Sequence, residues 1–181
     1  MGTYVTYDFS EYRAFFDKMG AASSDFRKEL ELWLDAVGVE FLNEVREQII
    51  TRNVKRTSLL LHSFEKGGDS NVWDIDLGAL RLEVGTSLEY GLWVNNGHRT
   101  FDPSKTKHFT LANGEKARFV PGYWNGDDFI YDRSAKGGMV LKFHWVEGKH
   151  YFDAALRVFA PVFEKSFERK LEQWLASYFG K

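Results

Sequence analysis

The chain has 181 residues, the length of one ordinary domain or of one domain that carries an arm. Lys and Arg total 24 against 26 Asp and Glu, so no excess positive charge is available to neutralise a nucleic-acid backbone. Hydrophobic residues make up 44% and aromatics 17%, which excludes a disordered chain. The absence of Cys excludes disulfides, thiolate metal sites and cysteine nucleophiles.

The first ten residues carry neither the basic start nor the apolar core of a signal peptide, so export by that route is not expected. The longest apolar run is Leu59 to Leu61, far short of the ~18 residues that a membrane span needs. We therefore expect a soluble protein that is made in the cytoplasm.

A short helix is expected near the amino terminus, capped by Asp8 or Ser10 and ended by Gly20. Trp73 to Leu77 and Leu80 to Val84 then alternate apolar and polar residues, which predicts an antiparallel hairpin joined at Gly78-Ala79.

Two segments carry apolar residues at steps of three and four, the spacing of a stripe along one helix face. The first predicts a helix from Asp25 to about Arg52, and Gly38 within it indicates close packing or a bend. The second predicts a helix from about Phe152 to Tyr178. Pro161 lies inside this second stripe, so either the helix kinks there or a short helix is followed by a longer one.

Residues 90–97 are short and apolar and end in a glycine, which predicts one or two helical turns. Met139 to Val146 alternates again and is expected to return to the sheet of the hairpin. Together these patterns predict an α+β fold, in which a small, mainly antiparallel sheet is packed by the two long amphipathic helices.

Phe101 to Gly138 is long, polar and aromatic, with turns expected at Asn113-Gly114 and Pro121-Gly122. We interpret the chain as a single domain, 1–181, in which residues 101–138 form an aromatic loop or hairpin insertion, or an arm.

No pattern predicts a catalytic residue, a cofactor site or a metal site. The five histidines lack the spacing that brings two imidazoles together on a helix, and no phosphate-binding or nucleophile motif is present. Asp127-Asp128 lies in a glycine-bounded loop, where calcium binding stays open as an alternative to ordinary turn capping. A pair of carboxylates that meet only in space, as in glycosidases, also stays open.

The insertion combines basic and aromatic residues, whereas residues 25–47 of the first long helix carry seven acids and three bases. A solvated face is the ordinary interpretation of such a charge run. The aromatics lie among glycines and acids, which favours contact with another protein over core packing or a platform for stacked bases or sugars. The predicted interface residues are Lys105, Lys107, Arg118, Tyr123, Trp124, Phe129 and Tyr131.

Three blocks, in order, resemble one family. Val54 to Phe64 reads VKRTSLLLHSF and Glu83 to Arg99 reads EVGTSLEYGLWVNNGHR. Gly148 to Leu156 reads GKHYFDAAL. These resemble blocks of the head-tail joining or minor tail-component proteins of long-tailed phages, although Gly91 stands where Ala is usual and Asn96 where Glu is usual.

This resemblance implies a non-enzymatic virion protein at the neck or upper tail, assembled in the host cytoplasm. It implies a homo-oligomeric ring, expected to have six subunits, between the head-closure protein and the tail-tube or tail-terminator proteins. DNA would pass through such a ring without sequence-specific recognition, and no membrane or cofactor is implied.

Two other classes stay open. A small carbohydrate-binding or hydrolase domain could use the aromatics and acids of residues 123–131, and a toxin-like prophage factor could act on a host protein. A glycan array separates the first of these from a ring subunit.

Overall fold

The computed structural model describes residues 2–22, 24–54, 57–78 and 81–179, which fall into two compact units. One unit comprises Met1–Asn96 with Lys149–Lys181, and the other comprises Gly97–Gly148. The elements of the first unit are β1 (Thr3–Asp8), α1 (Arg13–Ala22), α2 (Ser24–Thr51), α3 (Thr57–His62), β2 (Asn71–Asp76), β3 (Arg81–Thr86), α4 (Glu89–Asn96) and α5 (Tyr151–Phe179). Those of the second unit are β4 (Gly97–Arg99), β5 (Phe109–Thr110), β6 (Lys116–Asn125), β7 (Asp128–Tyr131), β8 (Gly138–Lys142) and β9 (Trp145–Glu147).

The first unit contains a three-stranded antiparallel sheet in the order β1-β3-β2. Pairing of β2 with β3 confirms the predicted hairpin, although Ala79 of its expected connection lies outside the described residues. The sequence patterns did not predict β1, which pairs with β3 from Thr3 opposite Thr86 to Asp8 opposite Arg81. Leu82 and Val84 of the central strand are fully buried, so this face of the sheet forms part of the core.

Helices α2 and α5 confirm both predicted long helices, and they run antiparallel along one another. Ring contacts join Phe26 to Trp174 at 5.0 Å and Phe41 to Phe159 at 5.4 Å between centroids. The ring of Tyr7 in β1 lies 6.3 Å from Phe41 and 6.4 Å from Phe159, so both helices contact the same sheet. This arrangement confirms the α+β fold predicted from the sequence.

Two features of the helices refine the sequence-based expectations. Gly38 provides close approach, because a Cβ added there would lie 2.6 Å from Cη2 of Trp73. Helix α5 continues through Pro161 as one element. An interior proline removes one backbone donor and its ring crowds the carbonyl four residues earlier, and the packing of Phe159 and Phe163 on Tyr7 offsets this cost.

The expected end of the first short helix at Gly20 is wrong. A 3-10 turn over Ser10–Tyr12 leads into α1, which continues through Gly20 to Ala22. Asp8 does stabilise the start of this helical segment, because its Oδ1 accepts the N–H of Ser10, the first residue of the 3-10 turn, at 2.8 Å. The penalty of an interior glycine is only ~1 kcal/mol, and packing of Phe16 on α2 and α5 outweighs it.

The second unit is built from short antiparallel strands. Strand β6 pairs with β5, β7 and β8, and β4 pairs with β9. The predicted turn at Asn113-Gly114 is confirmed, with Gly114 at φ 84° and its N–H donating to the Leu111 carbonyl. Strand β8 pairs with β6, and β9 pairs with β4, all within this unit. The expected return of Met139 to Val146 to the hairpin sheet of the first unit is therefore wrong.

The predicted turn at Pro121-Gly122 is also wrong, because both residues lie inside β6. Here β6 changes partners: Pro121 is the last residue opposite β8, and Gly122 is the first opposite β7. A change of partner is a position at which a strand can tolerate a residue that donates no hydrogen bond.

Candidate protein interface

The β6–β7 hairpin brings the four predicted aromatic residues together. Trp124 lies opposite Phe129, and Tyr123 lies opposite Ile130, across the two strands. Because directly opposed residues project to the same side, Trp124 and Phe129 share one face with Tyr131, which lies opposite Gly122. Tyr123 and Ile130 lie on the other face.

Most of this aromatic surface is exposed. Tyr123 is 54% exposed, Trp124 59% and Tyr131 63%. Phe129 supports the exposed rings. Its own ring contacts that of Trp124 edge-to-face at 5.3 Å and packs over the backbone of Gly122. A hairpin with exposed rings on both faces buries little apolar surface by itself, so it is suited to bury that surface against another molecule.

The three predicted basic residues lie elsewhere in the second unit. Lys105 and Lys107 are exposed in the segment before β5, where Lys105 Nζ is 3.8 Å from the Asp102 carboxylate. Arg118 lies at the start of β6, five residues before Tyr123 and so ~17 Å from it along the strand. Its guanidinium lies 5.9 Å from the ring centre of buried Phe101, so Arg118 supports the small core of this unit. The seven predicted residues therefore do not form one patch.

A second exposed apolar pair lies in this unit and was not predicted from the sequence. Phe119 of β6 lies opposite Val140 of β8, and the two are 52% and 53% exposed. The Phe119 ring covers the backbone of Gly138, as Phe129 covers Gly122. The alternation of Met139 to Val146 was the available signal, but it was assigned to the wrong sheet.

Exposed carboxylates of the second unit are held in local hydrogen bonds. The hydroxyl and the amide of Ser134 donate to Asp132 Oδ1 at 2.6 and 2.8 Å and lower the pKa of that carboxyl. A hydrogen bond from Lys142, 2.9 Å away, together with one from Asn113, lowers the pKa of Glu115. These groups are ionised at neutral pH and order the loops that carry them.

The described residues contain no group of three or more His, Asp or Glu side chains that could hold a metal ion. Asp127 and Asp128 lie at the β6–β7 turn, beside Gly126 at φ 61°. Within the same described ranges, no helix is both long and apolar enough to cross a membrane.

Comparisons with known proteins identify the class of this chain. Residues 13–97 match the family described as "Bacteriophage HK97-gp10, putative tail-component". The chain is 42% identical over 160 residues to "Uncharacterized protein YqbI" of Bacillus subtilis (strain 168), and this alignment covers 88% of the present chain and 91% of the relative. It is 41% identical over 155 residues to "Phage-like element PBSX protein XkdI" of the same organism, and this alignment covers 86% of the present chain and 89% of the relative. No solved structure matches the chain significantly.

The family match ends where the second unit begins, whereas both relatives extend over most of the chain. The family match spans α1 to α4 and contains the motif block of residues 54–64 and most of that of residues 83–99, while the third block, residues 148–156, lies beyond it. The chain belongs to the HK97-gp10-like family of phage tail components.

Proposed function

We propose that this chain is a non-enzymatic structural subunit of the phage particle that joins head to tail at the neck. In this role it forms a ring of six copies and contacts the head-closure protein on one side and the tail-tube or tail-terminator protein on the other. It acts in the virion after assembly in the host cytoplasm. The observation that carries the proposal is the exposed aromatic hairpin formed by β6 and β7.

The hairpin supports the proposal because its rings are large, rigid and open to solvent. Tyr and Trp residues that become buried in a partner are the usual anchors of protein interfaces, at about 2 kcal/mol or more for each good anchor. Trp124 and Tyr131 are directed to one face of the hairpin and Tyr123 to the other. One arm can therefore contact two partners, as a subunit between neighbours in a ring requires.

Charge also supports contacts between copies. Residues 97–148 carry 8 basic and 6 acidic side chains, and the remainder of the chain carries 16 and 20. The two units therefore have net charges of opposite sign. Complementary patches orient head-to-tail contacts between identical subunits, and a head-to-tail contact closes into a ring when its rotation permits.

The experiment replaces the gene with a Trp124→Ala, Tyr131→Ala variant in the host that produces the particle. We expect filled heads and separate tails in electron micrographs, because the variant chain folds but lacks its anchors. The matched control is Trp93→Ala, which removes a tryptophan of similar exposure, 46%, from α4. Joined particles in normal number from the hairpin variant would contradict the proposal.

A glycan array separates this role from that of a carbohydrate-binding or hydrolase domain. Trp124 and the two aspartates of the adjacent turn are the residues that such a domain would use. A structural subunit shows no thermal stabilisation by a small ligand, since none binds its folded state. A glycan that stabilises the wild-type chain but not Trp124→Ala would replace the structural assignment.

A further inference from the structure

An acid-rimmed groove of about 400 Å³ lies in the first unit, between the segment that follows β1 and helix α5. Its floor consists of aromatic rings and its rim of carboxylates. The rings are those of Phe9, Tyr12, Phe163 and Phe167, and the carboxylates are those of Asp8, Glu164 and Glu168. The rings pack on one another, with Tyr12 and Phe167 5.1 Å apart, so the floor is a continuous apolar surface.

Two of the rim carboxylates have no ion-pair partner in the described part of the chain. Glu164 and Glu168 are exposed and lie one helical turn apart on α5, where like charges repel. Among the described residues neither has an ion-pair partner. Asp8 differs, because it lies opposite Arg81 in the β1–β3 register.

The combination of an aromatic floor with unpaired carboxylates fits a cationic side chain. A guanidinium is attracted to ring faces, and its N–H groups donate to carboxylates with favourable geometry. A purely apolar ligand would leave the two glutamates uncompensated, and an anion would be repelled. The partner chemistry is therefore a basic segment that can also cover apolar surface.

The β7–β8 loop of the second unit has this chemistry. Arg133 and Lys136 are exposed, and neither has an ion-pair partner among the described residues. The neighbouring Asp132 forms no ion pair with Arg133, and its Oδ1 instead accepts two hydrogen bonds from Ser134. The Ala135 N–H also donates to the Asp132 carbonyl at 3.1 Å, so the loop is ordered before it binds.

We propose that the acid-rimmed groove of one chain receives the β7–β8 loop of a second copy, with Arg133 over the aromatic floor and Lys136 at the glutamate rim. This proposal rests on the self-contact in the proposed function and specifies which surfaces form it. Each chain carries one groove and one loop, so the contact repeats from copy to copy in a head-to-tail manner.

Charge reversal in the full chain tests the pairing. The groove variant is Glu164→Lys with Glu168→Lys, and the loop variant is Arg133→Glu with Lys136→Glu. Each alone is expected to weaken self-association in sedimentation velocity at low salt by about tenfold or more, because like charges then face each other. An equimolar mixture is expected to recover association, since the groove of one variant then matches the loop of the other.

The matched control is Glu40→Lys with Glu44→Lys, which makes the same charge change at the same spacing on α2. It is expected to associate like the wild type. Loss of association in this control, with none in the groove variant, would place the contact on the acidic face of α2 and overturn the proposal. A mixture of groove and loop variants that stays dissociated, with both folded by circular dichroism, would also overturn it.

If the isolated wild-type chain is monomeric, a cross-link in assembled particles tests the contact between groove and loop. The chain has no native Cys, so a chain with Glu168→Cys and Lys136→Cys, the two positions that the proposal places together at the rim, can form disulfides between copies only through the introduced residues. Oxidation of assembled particles is expected to give covalent dimers and larger species, and neither single variant should give this ladder. Absence of the ladder in joined particles overturns the groove proposal while the neck function stands. Loss of joining in the Trp124→Ala, Tyr131→Ala variant is the separate readout of that function.

Discussion

Asn95 joins the end of α4 to the start of α5, and its replacement by alanine tests how much this junction stabilises the fold. The side chain is only 3% exposed. Its Oδ1 accepts the Phe152 N–H at 2.9 Å, and its Nδ2 donates to Asp153 Oδ2 at 3.0 Å. The residue before α5, His150, has φ 49°. Asn95 therefore caps α5 from a distant part of the chain, a role usually filled by a local Ser, Thr, Asp or Asn.

The expected cost follows from these contacts. Asn95→Ala leaves the buried Phe152 N–H without its acceptor, at about 1–3 kcal/mol, and removes a hydrogen bond to a charged carboxylate, at about 1.5–3 kcal/mol. Asp153 recovers part of the second loss from water. We expect a total loss of about 2–4 kcal/mol in the free energy of unfolding. For a chain of this length, that corresponds to a fall of about 4–16 °C in Tm.

Urea unfolding followed by circular dichroism measures this change. Asn96→Ala is the matched control, because Asn96 is exposed and its side chain accepts one hydrogen bond, from Asn95. The control is expected to lose less than about 1 kcal/mol. If Asn95→Ala unfolds within ~0.5 kcal/mol of the wild type, the junction does not hold α5 and the reasoning is wrong.

A second variant at this position tests the electrostatics. Asn95→Asp keeps the acceptor for Phe152 but places a second carboxylate beside Asp153. Repulsion between the two raises the pKa of one of them in the folded state. The folded chain then binds more protons than the unfolded chain, so stability relative to the wild type should recover as pH falls from neutral toward ~4. A deficit that does not change with pH would show that the lost donor, and not repulsion, dominates.

Three further predictions concern the core, the arm and the ionised loops. Phe41→Ala should lose about 3–5 kcal/mol in urea unfolding, because the side chain is fully buried between both long helices and the sheet, and a loss below ~1 kcal/mol would contradict that placement. Trp124→Ala should stay within ~0.5 kcal/mol of the wild type in the same assay, since its ring is mostly exposed, and a larger loss would show that the hairpin is part of a core. Asp132→Asn should be less stable than the wild type at neutral pH and approach its stability as pH falls below ~4. The reason is that the hydrogen bonds that lower the pKa of Asp132 stabilise the folded chain most while the carboxyl is ionised. A difference in unfolding free energy that stays constant with pH would contradict this.

The elements that were predicted correctly are those whose sequence signals are local. The stripes from Phe26 to Ile49 and from Phe152 to Tyr178 predicted α2 and α5 because a helix repeats its own neighbours every three to four residues. The hairpin of β2 and β3 was predictable for the same reason, since its partners are adjacent in sequence. Strand β1 was not, because Thr3 pairs with Thr86 and no local pattern reports a partner so distant.

The candidate interface divides in the same way. Sequence alone identified Tyr123, Trp124, Phe129 and Tyr131 as aromatics outside the main core, because glycines and acids surround them. Only the β6–β7 register decided which rings share a face, and only tertiary packing placed Arg118 on Phe101, away from the hairpin.

The sequence by itself therefore determined the two long helices, the hairpin of β2 and β3, the family motifs and the absence of thiol chemistry, all of which depend on residue type and short-range periodicity. The tertiary structure decided the pairing of β1 and β8, the strand conformation of Pro121, the exposure of Phe119 and the junction at Asn95. The physical reason is that burial and hydrogen bonding between distant segments are properties of pairs. A residue's own neighbours do not specify which distant partner it meets.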